Sequence, residues 1–228
     1  MAQQLLHTVD SLFYRPYPEY TKFHLFTASH RSYGYASIRL FHGAPDLSEL
    51  AVFVNGEIVL NELSYSRLTS YMTWQEGVYE MEVFHLPTKE KVLFSRFMLR
   101  RDETYTLCLT GALTGFALLT EENSDDSVSN EQARLTFVQL SPDLPLIDLY
   151  ERDSGILSKG LGYLKASQKC LFSPNKYHFE LKASGTKSVL LDIPKVHLQT
   201  NRAYLILLHG FANGAPELMA KVVSSGHT

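Results

Sequence analysis

His42 is the residue whose type and position come closest to those of a reactive group. It ends a predicted strand just before the segment Gly43-Ala-Pro-Asp46, and alternation along that strand places its side chain with Ile38 and Leu40, toward the core. A metal ligand or general base needs partners that hold and orient it, and the neighbouring sequence offers none. The matching position in a second copy of this segment is Gln139. Because an imidazole and an amide can both hydrogen-bond a turn, we predict a structural role for His42.

Motifs for nucleophilic, dinucleotide and metal chemistry are missing or incomplete. No Gly-x-Ser-x-Gly segment occurs, and residues 209–214 resemble an oxyanion loop only superficially, because the counterpart at residues 110–115 has no histidine. Gly160 and Gly162 lack the third glycine of a dinucleotide loop. The nine histidines form neither a His-Glu-x-x-His nor a His-x-His motif. We therefore predict no catalytic residue, no cofactor and no metal ligand.

The strongest pattern in the chain is an internal duplication. Residues 36–47 recur as residues 133–144, which places Pro45 over Pro142 and Asp46 over Asp143. Later matches set Tyr65 over Tyr163, Tyr79 over Tyr177 and Tyr105 over Tyr204, so each copy is one domain of roughly ninety residues. Since each aspartate follows a proline, we predict that both carboxylates accept backbone hydrogen bonds in local Asx-type turns.

Period-two alternation predicts strands throughout both copies. Tyr79, Met81 and Val83 alternate with glutamates, and the same positions of the second copy follow the same rule. Asn55-Gly56 predicts a type I′ hairpin, because that turn needs a positive φ at both central residues. Pro194 lies where the alignment shifts by one residue, which indicates an edge strand or a bulge.

Several apolar residues can be assigned from the same alternation. Trp74 and Phe172 occupy matched positions and are predicted core residues. Phe41 and Val138 fall on the outward face of their strands, where contact between the two domains is the preferred interpretation and a partner surface the alternative. We expect Cys108 and Cys170 to be free thiols, because their positions do not correspond between the copies.

These patterns divide the chain into four segments: an aromatic-rich arm at residues 1–34, β-sandwiches at 35–120 and 133–223, and an acidic linker at 121–132. The arm is helical or extended, with helical spacing of apolar residues over 3–14, and is a candidate contact surface. The linker lacks the glycine and spacing of a calcium loop. The predicted fold is all-β: two tandem antiparallel sandwiches.

Composition excludes some classes of function. A formal net charge of −3 and a pI near 6.3 argue against nucleic-acid binding. No run is long and apolar enough for a signal peptide or a membrane span, so we expect a chain that is cytoplasmic at synthesis.

The segment Arg39-Leu-Phe-His-Gly-Ala-Pro-Asp-Leu47, followed by Leu50-Ala-Val-Phe-Val-Asn-Gly56 and Gly77-Val-Tyr79, resembles a bacterial and archaeal family of domains of unknown function. Members of that family show a His-Ala-Ser-Pro-Asp-Ala-Pro signature, often in tandem. The resemblance covers about residues 35–222. It implies an immunoglobulin-like or transthyretin-like sandwich with no established activity, and a spore- or envelope-associated role in a spore-forming bacterium.

Framework residues are duplicated in this chain, whereas reactive residues are not. We therefore expect a non-catalytic structural or protein-interaction module that binds a protein partner or itself. The alternative is a small-ligand binder or enzyme with a site in the groove between the copies, drawing on His42, His85, His178 or His209.

Overall fold

The computed structural model describes residues 34–111, 115–121 and 131–225. The predicted helix over 3–14 and the rest of the arm up to residue 33 lie outside the described residues, as does the linker between residues 122 and 130. Residues Gly34–Thr228 form one compact unit.

Sixteen strands make up the described chain. The first half contains β1 (Tyr35–Gly43), β2 (Glu49–Val54), β3 (Glu57–Ser64), β4 (Met72–Gln75), β5 (Gly77–His85), β6 (Glu90–Leu99), β7 (Thr104–Thr110) and β8 (Gly115–Glu121). The second half contains β9 (Ala133–Gln139), β10 (Ile147–Glu151), β11 (Gly155–Leu161), β12 (Cys170–Phe172), β13 (Asn175–Ala183), β14 (Val189–Leu198), β15 (Ala203–His209) and β16 (Met219–Ser225).

The strands form four sheets of four strands, two in each half. We call β4-β1-β7-β8 and β12-β9-β15-β16 the inner sheets, and β3-β2-β5-β6 and β11-β10-β13-β14 the outer sheets. The two halves have the same strand order, because each strand of the first half corresponds to the strand numbered eight higher. The prediction of an all-β chain with two sandwiches is confirmed. Within each inner sheet one pairing is parallel, β1 with β7 and β9 with β15, whereas the other pairings are antiparallel.

Each sandwich has its own apolar core between its inner and outer sheet. In the first, Ile38 and Leu40 of β1 meet Val52 of β2 and Met81 of β5. In the second, Leu135 and Phe137 of β9 play the same part. The predicted placement of Trp74 and Phe172 also holds, since Trp74 packs against the first core and Phe172 belongs to the second.

Turn chemistry follows the sequence at several places. Asn55 and Gly56 have φ values of 52° and 82°, as a type I′ hairpin requires. On the edge strand β14, the pairing register shifts beside Pro194, where Lys195 has a φ of 60°. Because proline has no N–H to donate, a bulge at this position leaves no hydrogen bond of the strand pair unmade.

A third apolar cluster joins the two inner sheets, and we call it the junction. It consists of seven buried residues from both sandwiches, with Leu68 and Leu119 packed against them: Phe41, Cys108, Val138, Leu140, Leu205, Leu207 and Val223. The outward faces of β1 and β9 are therefore covered by the other sandwich, which confirms the preferred interpretation of Phe41 and Val138. Both cysteines are free thiols, Cys108 in the junction and Cys170 half-buried.

The prediction of a local Asx-type turn at Asp143 is wrong in its partners. Its carboxylate accepts hydrogen bonds from the backbone N–H groups of Ala212 (2.7 Å) and Asn213 (3.1 Å), which lie some seventy residues along the chain. Partial burial raises the pKa of the Asp143 carboxyl, but these two bonds, together with one from the Ser141 hydroxyl, outweigh it, so that the pKa is lowered. Asp143 of the repeated Pro-Asp step thus connects the start of the second sandwich to the loop after β15 by hydrogen bonds.

Replacing Phe41 by alanine should test the packing of the junction. Phe41 is fully buried, so Phe41→Ala should lower the free energy of unfolding by about 3–5 kcal/mol. Tyr35→Ala is the matched control, because Tyr35 lies on the same strand and is 54% exposed, and should change it by no more than about 0.5 kcal/mol. Equal midpoints for the two variants in urea unfolding would contradict the described contact between the inner sheets.

Candidate functional site

Two buried histidines and a tyrosine lie beside the junction. His42 at the end of β1 and His209 at the end of β15 are both fully buried, and Tyr65 lies between them. The Tyr65 hydroxyl is 2.7 Å from Nδ1 of His209, and its ring meets both imidazoles edge-on at centroid distances of 5.8 Å and 5.4 Å. Two histidines from different sandwiches thus share one tyrosine.

A second tyrosine makes the equivalent contact in the opposite direction. Tyr163 matches Tyr65, and its hydroxyl lies within hydrogen-bond distance of Thr110, which matches His209. The same hydroxyl donates to the carbonyl of Gly111 at 3.0 Å. Each sandwich therefore contacts the other through the equivalent tyrosine, a reciprocal arrangement like that of an isologous dimer.

The hydrogen bonds of the two histidines favour neutral rings. Nδ1 of His42 accepts from the backbone N–H of Ala44 at 3.3 Å, so protonating that nitrogen would set two N–H groups against each other. Nε2 of His42 and Nε2 of His209 have no well-formed hydrogen bond to any of the described residues. A neutral ring at position 209 can donate from Nδ1 to Tyr65 and leave Nε2 without a proton, whereas an imidazolium would bury the N–H of Nε2 without an acceptor.

Burial shifts the pKa values in the direction that these contacts demand. Desolvation, followed by the proximity of His209 and His85, lowers the pKa of His42 to about 4, and the Leu47 carbonyl offsets only part of this shift. Desolvation, with a smaller effect from Lys221, lowers that of His209 to about 4. Burial raises the pKa of Tyr65 to about 12, so its hydroxyl keeps its proton.

Of the four histidines considered for a groove site, the structure brings only some together. His42 and His209 meet at the junction, and His85 is close enough to affect the pKa of His42. His178 lies on β13, in the second outer sheet. Apolar side chains of the junction pack beside the buried histidines, and Phe41 meets His209 edge-on at a centroid distance of 5.1 Å.

His178 belongs to a charged cluster on the outward face of the second outer sheet. Ligand atoms of His178, Glu180 and Asp192 lie within 4.8 Å of one another, which is close enough for a cation. Two cations of the protein already occupy this cluster: Arg152 lies 3.0 Å from Glu180, and Lys182 lies 3.0 Å from its other oxygen. These partners lower the pKa of Glu180 and neutralise the charge that a metal would need.

The first outer sheet presents a different outward face. Val78, Phe94 and Met98 are 65%, 52% and 51% exposed, and Phe84 and Phe53 form an edge-to-face pair beside them. Glu80 accepts a hydrogen bond from Arg96 at 2.8 Å, and Lys91 lies 2.7 Å from Glu82. We call this surface the apolar face, defined by Val78, Phe84, Phe94 and Met98.

The corresponding positions of the second sandwich are charged or titratable. Strand pairing sets Val78 opposite Met98 in the first sandwich and Lys176 opposite His197 in the second. In the same way, Phe94 corresponds to Asp192 and Phe84 to Lys182. Four exposed or half-buried apolar residues of one sandwich are therefore replaced by hydrophilic ones in the other.

Sequence comparison places these features in a known family. The model of the family described as Domain of unknown function (DUF4397) matches residues 36–150. The chain belongs to this family. The DUF4397 match covers the first sandwich with its apolar face and extends to β10 of the second. No curated protein matches the chain.

Solved structures give weak likenesses to the DUF4397 chain. The Bacillus anthracis TIE protein shares 12% identity over 79% of this chain, with a TM-score of 0.24, and this chain spans 34% of its length. The family CBM26 domain of Eubacterium rectale Amy13K, solved with maltoheptaose, shares 9% identity over 85% of this chain and 97% of its own, with a TM-score of 0.24. Values this low do not support a functional comparison. No helix among the described residues has the length and apolar character needed to cross a membrane.

Sequence reasoning about this DUF4397 protein found His42 but missed its partners. The shared Tyr65/Tyr163 position was visible as a match between the copies, yet nothing in the alignment said that each tyrosine contacts the other sandwich. The apolar face was equally visible as Val78 and Met98 at outward positions. The signal that distinguishes this face is that Lys176 and His197 occupy the equivalent positions in the second half of the sequence.

Removing the two hydroxyl groups of the junction in turn should show whether both tyrosine contacts stabilise the DUF4397 protein. Tyr65→Phe leaves the imidazole of His209 without its hydrogen bond, and Tyr163→Phe does the same to Thr110 and Gly111. We expect each variant to lose about 1–3 kcal/mol in urea unfolding, because each leaves buried polar atoms unpaired. Tyr79→Phe is the control, since the Tyr79 hydroxyl bonds an exposed carbonyl, and should lose less.

The buried histidines predict a dependence of stability on pH. Their folded-state pKa values lie below 6.5, so the unfolded chain binds more protons between pH 6.5 and 4, and the free energy of unfolding falls as pH drops through that window. We expect a slope that approaches about 1 kcal/mol per pH unit for each imidazole. His42→Gln and His209→Thr install the residues of the opposite copy and together should flatten the curve between pH 5 and 7. An unchanged slope would show that neither histidine is buried in its neutral form.

Proposed function

We propose that this protein is a non-catalytic interaction module that binds a protein through the apolar face of its first sandwich. The observation that carries this proposal is the difference between two equivalent outer sheets of one chain. Surface apolar residues occur singly on many proteins, but this face has an apolar pair, Val78 and Met98, at one end and the aromatic residues Phe84 and Phe94 beyond the Glu80–Arg96 row, where the second sandwich has hydrophilic residues. Exposed apolar groups rimmed by charges are typical of a contact surface.

Support for a non-catalytic role comes from the state of the reactive side chains. His42 and His209 are buried among packed residues, and His178 is held in an ion-pair cluster with Asp192 and its neighbours. Neither arrangement combines an accessible nucleophile or base with an open space for a substrate. The groove between the sandwiches, which the alternative function would need, is occupied at the junction by the side chains of both inner sheets.

The tandem arrangement supports the same function. We infer that the second sandwich is a second, diverged copy of the DUF4397 domain, because its strand order and registers repeat those of the first. The second sandwich covers the inner sheet of the first, so the outward face of the first outer sheet is the face of that sandwich left for a partner. A spore or envelope setting follows from the family resemblance alone and stays a prediction.

Exchanging surface residues between the copies should test the proposal. Val78→Lys combined with Met98→His gives the first sandwich the residues of the second, and we expect capture of protein partners from a native lysate to fall at least about tenfold. Leu171→Lys combined with Val189→Lys is the matched control, because both residues are about half exposed but lie in the second sandwich.

The readout is quantitative pull-down with the full chain, accompanied by urea unfolding of each variant. Equal capture by the wild type and the Val78/Met98 variant, with both folded, would contradict a role for the apolar face. Turnover of a hydrolase or glycosidase substrate that one point substitution abolishes would contradict the non-catalytic assignment.

A further inference from the structure

The apolar face has an order that its composition alone does not reveal. In the register between β5 and β6, Val78 lies opposite Met98, Glu80 opposite Arg96, and Glu82 opposite Phe94. Apolar residues thus face apolar residues across the strand pair at one end, and an acid faces a base in the next row. These two rows are complementary to themselves under a particular rotation, whereas the third row would set Glu82 against Phe94.

That rotation is a two-fold axis that runs parallel to the strands, between β5 and β6 of two facing sheets. It sets every side chain opposite the second copy of its own register partner. Val78 then meets Met98 of the partner subunit, and Glu80 meets Arg96 of the partner subunit. Two stacked sheets normally keep their strand directions within about 30° of each other, so this arrangement agrees with ordinary sheet packing.

We propose that the protein forms a two-fold dimer in which the apolar faces of two copies pack against each other. The proposal rests on the proposed function, since it names a second copy of the chain as the protein that this face binds. The interface is isologous, so each subunit contributes the same acid and the same base.

The charges of the face contribute specificity to this pairing. Within one chain, the exposed Glu80–Arg96 pair is worth little, because water screens it. In the dimer the two pairs adjoin and form a network of four alternating charges, partly removed from water by Val78 and Met98. Electrostatic complementarity of this kind sets register and excludes wrong partners more than it adds affinity.

The second outer sheet shows what a face without this property looks like. Its register sets Glu180 opposite Asp192, so the same rotation would bring acid against acid. It also sets Lys176 opposite His197, where two nitrogen bases would meet. Self-pairing is therefore a property of the first sandwich alone, in agreement with its apolar residues.

The test uses charge exchange between two chains. Glu80→Arg creates a face with two bases at this row, and Arg96→Glu creates a face with two acids, so each variant repels its own copy. We expect the wild type to sediment as a dimer and each variant to dissociate at least about tenfold more readily. An equimolar mixture should restore the dimer, since the acidic face meets the basic one. Lys176→Glu, on the second outer sheet, should leave the dimer unchanged.

Analytical ultracentrifugation over a concentration series gives the masses, and native mass spectrometry with one isotopically labelled variant identifies the mixed dimer. A wild-type chain that stays monomeric across the series would overturn the proposal, as would a dimer that the mixture fails to restore. If the wild type is monomeric and lysate capture still depends on Val78 and Met98, self-pairing is wrong and the apolar face binds a different protein.

Discussion

The rest of the structure depends on the burial of both faces of the inner sheets. One face of β1 and β7 packs on the first core, and the other packs on the second sandwich. Every residue of β7 is consequently buried, including Thr104, Thr106 and Thr110. A strand buried on both faces cannot place polar side chains in water, so its polar groups must find partners inside the protein.

This constraint explains the chemistry of the junction. Threonine suits a doubly buried strand, because it has high β propensity and its hydroxyl can be satisfied by one neighbour, as Thr106 is by Arg39 at 2.8 Å. Arg39 also donates to the carbonyl of Ser224 at 3.0 Å and stacks over Tyr71. Hydrogen bonds and a cation–π contact therefore stabilise its buried charge. The histidines meet the same demand by staying neutral. Polar contacts thus fix how the sandwiches meet, whereas the apolar cluster supplies most of the favourable free energy.

Burial also decides which parts of the fold could be predicted from the sequence. The strands of the outer sheets have one buried and one exposed face, so alternation of Tyr79, Met81 and Val83 with glutamates identifies them directly. Cross-strand and long-range partners leave no such periodic trace. The parallel pairing of β1 with β7 and the bonds from Ala212 and Asn213 to Asp143 therefore emerged only in three dimensions.

For the candidate site the limit was similar. The outward position of Phe41 predicted a covered face, because a large aromatic residue is costly to expose beside another domain. Nothing local to Tyr65 indicated that its partner is His209, more than a hundred residues away. The matches between the two halves supplied part of the missing information, since the shared positions Tyr65 and Tyr163 make equivalent contacts with the other sandwich. His209 and Thr110 differ although both face a tyrosine, which shows that the junction is only approximately symmetric.

The same comparison leads to the outer sheets, whose outward faces differ in polarity between the two sandwiches. Both outer sheets pack one face against a core of aliphatic and aromatic residues. Core packing therefore cannot explain why their outward faces differ in polarity. Charged residues such as Lys176 and Asp192 are what a solvated β-sheet face normally presents. Keeping Val78, Phe94 and Met98 at equivalent positions exposes apolar surface that invites aggregation unless a specific contact covers it. The register of Glu80 with Arg96 restricts which surface can do so, because an uncharged apolar partner would bury that ion pair without compensation. A partner must therefore bring both an acid and a base in the correct order, and a second copy of this face has them.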